Sequence, residues 1–170
     1  PKVTDIGTAN SITSNQDVHQ TTQYFDGLGR LMQTVAKQAT PANQDLVAPT
    51  VYDQYGREAI KYLPYVSAYN DGLYKIDPLT EQNSFNSNQF PGEQYYYGKV
   101  DYEVSPLNRP VASYAAGQSW VGAGRGAGQQ YLLNQVSDSV RIWDIATTPG
   151  SMPTTTTTYA TGTLSKNQTT

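Results

Sequence analysis

Apolar and polar positions along this chain mostly recur with a period of two. Val140-Arg141-Ile142-Trp143-Asp144-Ile145 interleaves apolar with charged residues, as a half-buried strand does. Met32-Gln33-Thr34-Val35-Ala36-Lys37 and Ala59-Ile60-Lys61-Tyr62-Leu63 are short and bounded by turn residues, which again predicts strands. Thr154 to Tyr159 is β-branched and aromatic and reads as a strand, with a low-complexity linker as the alternative. One segment departs from this period. Asp77 is placed to cap a helix, Pro78 to occupy its first position and Glu81 to face its positive end, while Pro91-Gly92 must stop it. The expectation is one short helix near 78–89.

Repeats organise the strands. Tyr24-Phe25-Asp26-Gly27-Leu28-Gly29-Arg30-Leu31 resembles Val51-Tyr52-Asp53-Gln54-Tyr55-Gly56-Arg57-Glu58, with Asp, Gly and Arg shifted together by 27 positions. A degraded third copy runs from Tyr102 to Arg109. Aligned on its arginine, Ser105 replaces the aspartate and Asn108 the glycine. Asp-x-x-Gly describes a tight turn in which Asp accepts backbone N–H bonds and Gly supplies positive φ. Ser accepts the same bonds, Asn tolerates left-handed φ, and Pro106 suits the second position of a type I turn. The three copies therefore predict three hairpins around Asp26/Gly29/Arg30, Asp53/Gly56/Arg57 and Ser105/Asn108/Arg109, each with Arg opening the return strand. Two weaker hairpins are expected. One joins Gln130–Asn134 to Val140–Ile145 through Val136–Ser139, and the other turns at Gly162 within 159–164. A helix over Gln129–Asn134 is the alternative to the first strand of that pair.

Composition narrows the functional classes. Ser, Thr, Asn and Gln supply 57 of the 170 residues, 14 more are Tyr, and only 15% are charged. The net charge of −3 leaves no basic field for nucleic acid. No apolar run is long enough to span a membrane as a helix. The lack of Cys excludes disulfides, thiolate metal sites and Cys nucleophiles, and His19 is the single histidine. The chain starts at Pro1 without Met or a signal-peptide pattern and so reads as a piece of something longer. Residues 1–20 form an N-terminal extension, read as a candidate edge strand, and 21–170 one hairpin-rich domain.

The Tyr-Asp-x-x-Gly-Arg turns resemble those of the bacterial YD-repeat, or RHS, family. The wider series is Asp26-Gly27-Leu28-Gly29-Arg30, Tyr62-Leu63-Pro64-Tyr65, Pro91-Gly92-Glu93, Ser105-Pro106-Leu107-Asn108-Arg109 and Asp138-Ser139-Val140-Arg141-Ile142-Trp143. It looks like the domain that precedes the repeat array in large cell-surface RHS proteins of the Bacteroidetes type, from about Gln23 onward. That resemblance implies an extracellular or cell-surface location and downstream YD repeats as partners. It also implies a parent whose hairpins wind into a β-shell, often around a C-terminal toxin. Two or three interrupted copies are too few to enclose a protein.

The remaining chemistry favours architecture over catalysis. Repeated Asp/Arg pairs point to a structural unit rather than one catalytic site. Gly122–Gly128 matches a loose dinucleotide fingerprint but lacks the flanking strand and helix, so it reads as a glycine loop with Arg125 at its tip. Asp71, Glu81, Glu93, Asp101 and Glu103 are the carboxylates available to a glycosidase. Asn70-Asp71-Gly72 reads as a plain turn rather than a calcium loop. Tyr95, Tyr96 and Tyr97, in a Tyr-dense middle, are the candidate platform for a glycan or a partner surface protein, although alternation must turn one of the three away. The expectation is a non-catalytic structural or interaction module without metal or cofactor, with carbohydrate binding as the alternative.

Overall fold

The computed structural model describes residues 5–12, 17–145 and 147–170. It is built mainly from antiparallel strands in three sheets. The first sheet joins β1 (Thr21–Phe25), β2 (Leu31–Ala36), β3 (Leu46–Pro49) and β5 (Tyr65–Val66) in the order β1-β2-β3-β5. The second holds β4 (Ile60–Tyr62), β6 (Tyr97–Tyr102), β7 (Pro110–Tyr114), β8 (Ala127–Leu133) and β11 (Ser165–Thr169), ordered β11-β8-β7-β6-β4. A separate two-stranded ribbon pairs β9 (Arg141–Asp144) with β10 (Thr154–Thr158).

The core of the first sheet is one row of side chains. Val35 lies opposite Val47, and Val47 opposite Tyr65, so three strands place their fully buried residues side by side. Tyr24 and Phe85 pack against that row. Burying each of these side chains contributes roughly 1.5–3 kcal/mol. The short row matches a sequence poor in aliphatics: the sheet is thin, and polar groups share its interior.

Helix α2 (Pro78–Gln89) spans the residues predicted for it. Asp77 caps it through a long bond from the Thr80 N–H, 3.5 Å, and Pro78 opens it. Its docking face is unusual, because the buried side chains are Gln82 and Asn86, one turn apart. Gln82 Nε2 donates to the carbonyls of Tyr96, at 2.9 Å, and Leu63, at 3.3 Å. The helix is thus pinned by the Gln82 amide to the region where β4 meets β6, while Asn86 Nδ2 donates back to the Gln82 carbonyl.

A buried polar cluster fastens the segment between β5 and α2. Gln33, on β2, pairs with the backbone of Lys75 as another strand would: its Oε1 accepts the Lys75 N–H at 2.9 Å, and its Nε2 donates to the Lys75 carbonyl at 3.2 Å. The Lys75 side chain is 3% exposed and its ammonium reaches Asp45 at 3.0 Å and Asp71 at 2.6 Å. Asp45, wholly buried, also accepts the backbone N–H groups of Gln38 and Gly72. Burial works against the Lys75 ammonium, but its bonds to Asp71 and Asp45 outweigh it and raise its pKa.

Three expectations are corrected by strand pairing and a fourth by a helix. The second repeat forms its turn but not a hairpin, because β3 pairs with β2 and β5 whereas β4 pairs with β6. Its turn instead carries the chain from the first sheet to the second. Residues 127–133 are a strand, but β8 pairs with β7 and β11 rather than with β9. The turn at Gly162 has positive φ, yet its flanking strands also join different partners, β10 with β9 and β11 with β8. Within residues 1–20, the described part holds a helix where an edge strand is the expectation: α1 (Ile6–Ser11), started by Asp5, which accepts both the N–H and the hydroxyl of Thr8, while 1–4 and 13–16 lie outside the described residues.

Replacing Lys75 with Met should leave Asp45 charged, buried and short of its partner, at a cost of about 3–5 kcal/mol in urea unfolding. Adding Asp45→Asn to that variant should recover part of the loss.

Candidate functional site: clasped turns stacked on aromatic rings

The first two repeat turns have the same construction. Asp26 Oδ1 accepts the N–H groups of Leu28 and Arg30 at 2.8 and 2.9 Å, and Oδ2 receives Arg30 Nε at 2.7 Å. Asp53 Oδ1 accepts Tyr55 and Arg57 N–H at 2.8 and 2.9 Å, and Oδ2 receives Arg57 Nε at 2.8 Å. Gly29 and Gly56 both adopt φ of 76°, a left-handed value that disfavours a β-carbon. Each carboxylate thereby closes the turn and clasps the arginine that follows it.

The third turn keeps the clasp but moves its carboxylate. Ser105 Oγ still accepts the Leu107 N–H, and Asn108 takes the left-handed φ at 53°. Arg109, however, is gripped by Glu103, with Nε to Oε1 at 2.8 Å and the terminal nitrogen to Oε2 at 2.7 Å, while Ser105 Oγ donates to Glu103 Oε1. From the sequence Glu103 reads only as one of several candidate acids. Its partnership was legible in a different alignment, because Phe25-Asp26, Tyr52-Asp53 and Tyr102-Glu103 are all aromatic–acid pairs.

The clasps hold each guanidinium over a ring further along the chain. Arg30 lies over Tyr52 at 4.8 Å, Arg57 over Tyr102 at 4.6 Å and Arg109 over Tyr131 of β8 at 4.4 Å. Arg57 is covered on another side by Tyr55 at 4.7 Å, and it also donates to Asn108 Oδ1 at 3.1 Å. Such cation–ring contacts contribute about 0.5–2 kcal/mol, more when shielded from water. All nine turn residues singled out from sequence therefore belong to one stacked assembly, to which the structure adds Glu103 and the three receiving rings. A groove of about 560 Å³ opens between the second and third turns, walled by Tyr55, Tyr102, Val104 and Pro106 with Arg57 and Glu103 at its polar side.

The tyrosine triplet divides as alternation requires. Tyr96 is buried, with its hydroxyl donating to the Glu93 carbonyl, and so leaves the predicted platform. Tyr95 and Tyr97 remain half-buried and meet edge to face at 5.8 Å, and Tyr62 lies against Tyr97 at 5.7 Å. The carboxylates weighed for hydrolysis all have structural partners. Asp71 holds Lys75, Glu81 receives the Ser67 hydroxyl and Asp101 pairs with Lys99. Glu93 accepts the N–H groups of Gln94, Tyr95 and Gln118, which hold its pKa low.

A wide helical turn, Gln118–Gly122, leads into the glycine segment, which turns at Ala123 and Gly124 and enters β8 at Ala127, with Arg125 over Trp120 at 5.2 Å. Gly126 serves close packing there, since a β-carbon would sit 2.4 Å from the Ser113 carbonyl. Among the described residues no cluster of His, Asp and Glu is arranged to hold a metal ion, and no helix is long and apolar enough to cross a membrane.

The clasps make stability depend on acid pH. The Arg109 guanidinium, followed by the Ser105 hydroxyl, draws the Glu103 pKa down to about 2. Asp26 and Asp53 are lowered chiefly by the backbone N–H groups of Arg30 and Arg57. A depressed folded pKa gives stability that is complete above the unfolded value, near 4–4.5, and is lost as pH falls through the folded one. Urea titrations should show stability declining from about pH 4.5 toward 2, and Arg109→Gln should flatten that decline.

The family model for a domain of unknown function (DUF6443) matches residues 1–133, ending at the last residue of β8. Comparisons with curated proteins and with solved structures gave no match.

Proposed function

We propose, for a chain that belongs to the DUF6443 family of domains of unknown function, a non-catalytic structural role: a stacking module that leads a large secreted or surface protein of the RHS/YD-repeat type. The observation that carries this reading is the forward contact of each clasped arginine with a ring further along the chain, that of the next repeat for Arg30 and Arg57 and that of strand β8 for Arg109. A contact made in the same way three times is a joint between units, and joints of this kind extend by adding units. The described strands also end in open edges, with β11 at the margin of the five-stranded sheet, where further hairpins from downstream repeats have backbone groups to pair with. In this role the domain starts a β-shell built by the rest of the parent protein.

Glycan binding is the second reading, and the groove between the second and third turns is what favours it. Its Tyr55 and Tyr102 walls and its polar side offer the mixture of flat apolar and hydrogen-bonding surface that sugar rings use.

Appending two Tyr-Asp-x-x-Gly-Arg hairpins after Thr170 should raise the melting temperature of the whole chain by several degrees, on the order of 2–4 °C per kcal/mol gained. No gain counts against the stacking role. Saturable glycan binding in calorimetry, lost on Tyr55→Ala with the melt unchanged, favours the second reading instead.

A further inference from the structure

We infer that Phe25 is the receiving ring of an external joint, and that the face it shares with edge strand β1 docks an arginine-bearing hairpin of the clasped-turn kind. The inference rests on the stacking reading above and adds to it a partner and a site.

Phe25 stands where the receiving rings stand. It directly precedes the clasping Asp26, as Tyr52 precedes Asp53 and Tyr102 precedes Glu103. The match with Tyr102 extends to the backbone. Both residues follow an irregularity in their strand, at Tyr24/Phe25 and at Asp101/Tyr102. Both lie opposite the residue after the clasped arginine, Leu31 in one hairpin and Pro110 in the other. Both are followed by a residue whose N–H donates to the carbonyl of that arginine, at 2.9 and 3.0 Å.

Their surroundings differ. Tyr52 and Tyr102 each carry the guanidinium of the preceding turn, whereas Phe25 is 56% exposed and no cation lies over it among the described residues. The strand that bears it is also at a margin. β1 begins the order β1-β2-β3-β5, and Thr21, Gln23 and Phe25 share its exposed side. Inside the molecule, the turn after β3 receives Arg30 while β3 itself pairs with β2. A hairpin docking on Phe25 has the same two contacts open to it, strand pairing along β1 and an arginine over the ring.

The occupant follows from which arginines are committed. Arg30, Arg57 and Arg109 already lie on rings of this chain, and Arg125 lies on Trp120. Arg141 opens β9 outside any Asp-x-x-Gly-Arg turn, so a second copy has no clasped arginine to spare and the partner is a different hairpin carrying its own Asp-x-x-Gly-Arg turn.

The test is a titration of the isotope-labelled full chain with a cyclised hairpin peptide containing a Tyr-Asp-x-x-Gly-Arg turn, followed by NMR. Saturable shifts confined to β1 and Phe25 are expected. Phe25→Ala should weaken binding about fivefold, and Arg→Gln in the peptide should weaken it to a similar degree. Phe25→Tyr, which restores the ring type of the other units, should keep the affinity, and Leu107→Ala on the third turn should leave it unchanged. Absence of binding, equal affinity for Phe25→Ala, equal affinity of the Gln peptide, or shifts centred on another edge would each overturn the inference. None of these results would cancel a melting gain from hairpins appended behind β11, so failure here is separable from failure of the stacking role.

Discussion

An arginine that is hydrogen-bonded at one end and stacked across its plane has almost no freedom left. A guanidinium presents nitrogens in its plane and π surface above and below it, so a carboxylate and a ring can hold it at the same time without competing. In this protein the carboxylate comes from beside the arginine's own turn and the ring from further along the chain, the next repeat for Arg30 and Arg57 and strand β8 for Arg109. The first interaction is local and forms with the turn. The second is distant and forms only when two turns meet, as Arg57 and Tyr102 do. Much of the architecture follows from that division, including the turn at Asp53, which receives Arg30 on Tyr52 and sends Arg57 to Tyr102 of the second sheet.

The same logic explains why the third unit tolerates a changed sequence. What must be conserved physically is the position of the guanidinium, and a glutamate two residues earlier in the chain reaches it with its longer side chain. Once Glu103 holds Arg109, the first turn position needs only an acceptor for one N–H, which Ser105 provides. The interior shows a comparable economy. Few aliphatic side chains are available, so Gln33, Gln82, Asn86 and the Lys75–Asp45 pair fill buried positions with groups that satisfy one another. Such an interior is more dependent on geometry than an apolar one, because each group left without its partner is costly.

The sequence made the local features readable and left the distant ones hidden. The turns at Asp26, Asp53 and Ser105 and the helix starting at Pro78 depend on residues within four positions of one another, and all form where expected. Strand partnership is not local. Nothing in the letters around Asp53 says that its two arms enter different sheets, or that β8 prefers β7 and β11 to β9. Helix α2 was found through its caps, but its buried face could not be, since it carries amides instead of an apolar stripe. Lys75 looks like any surface lysine until Asp45, thirty positions away, is beside it. Tyr131 lacks an acidic neighbour and so carries no mark of its role as a receiving ring.

Among the described residues every clasped arginine reaches the same way, from its own turn toward a ring further along the chain, that of the next repeat for Arg30 and Arg57 and that of strand β8 for Arg109. The assembly therefore has polarity, with a cation offered at one end of each joint and a ring at the other. Two ends of the same kind cannot satisfy each other: ring against ring lacks the charge, and guanidinium against guanidinium adds repulsion. Assembly by this joint is vectorial, head to tail, and the order of units in space is tied to their order of synthesis on the ribosome.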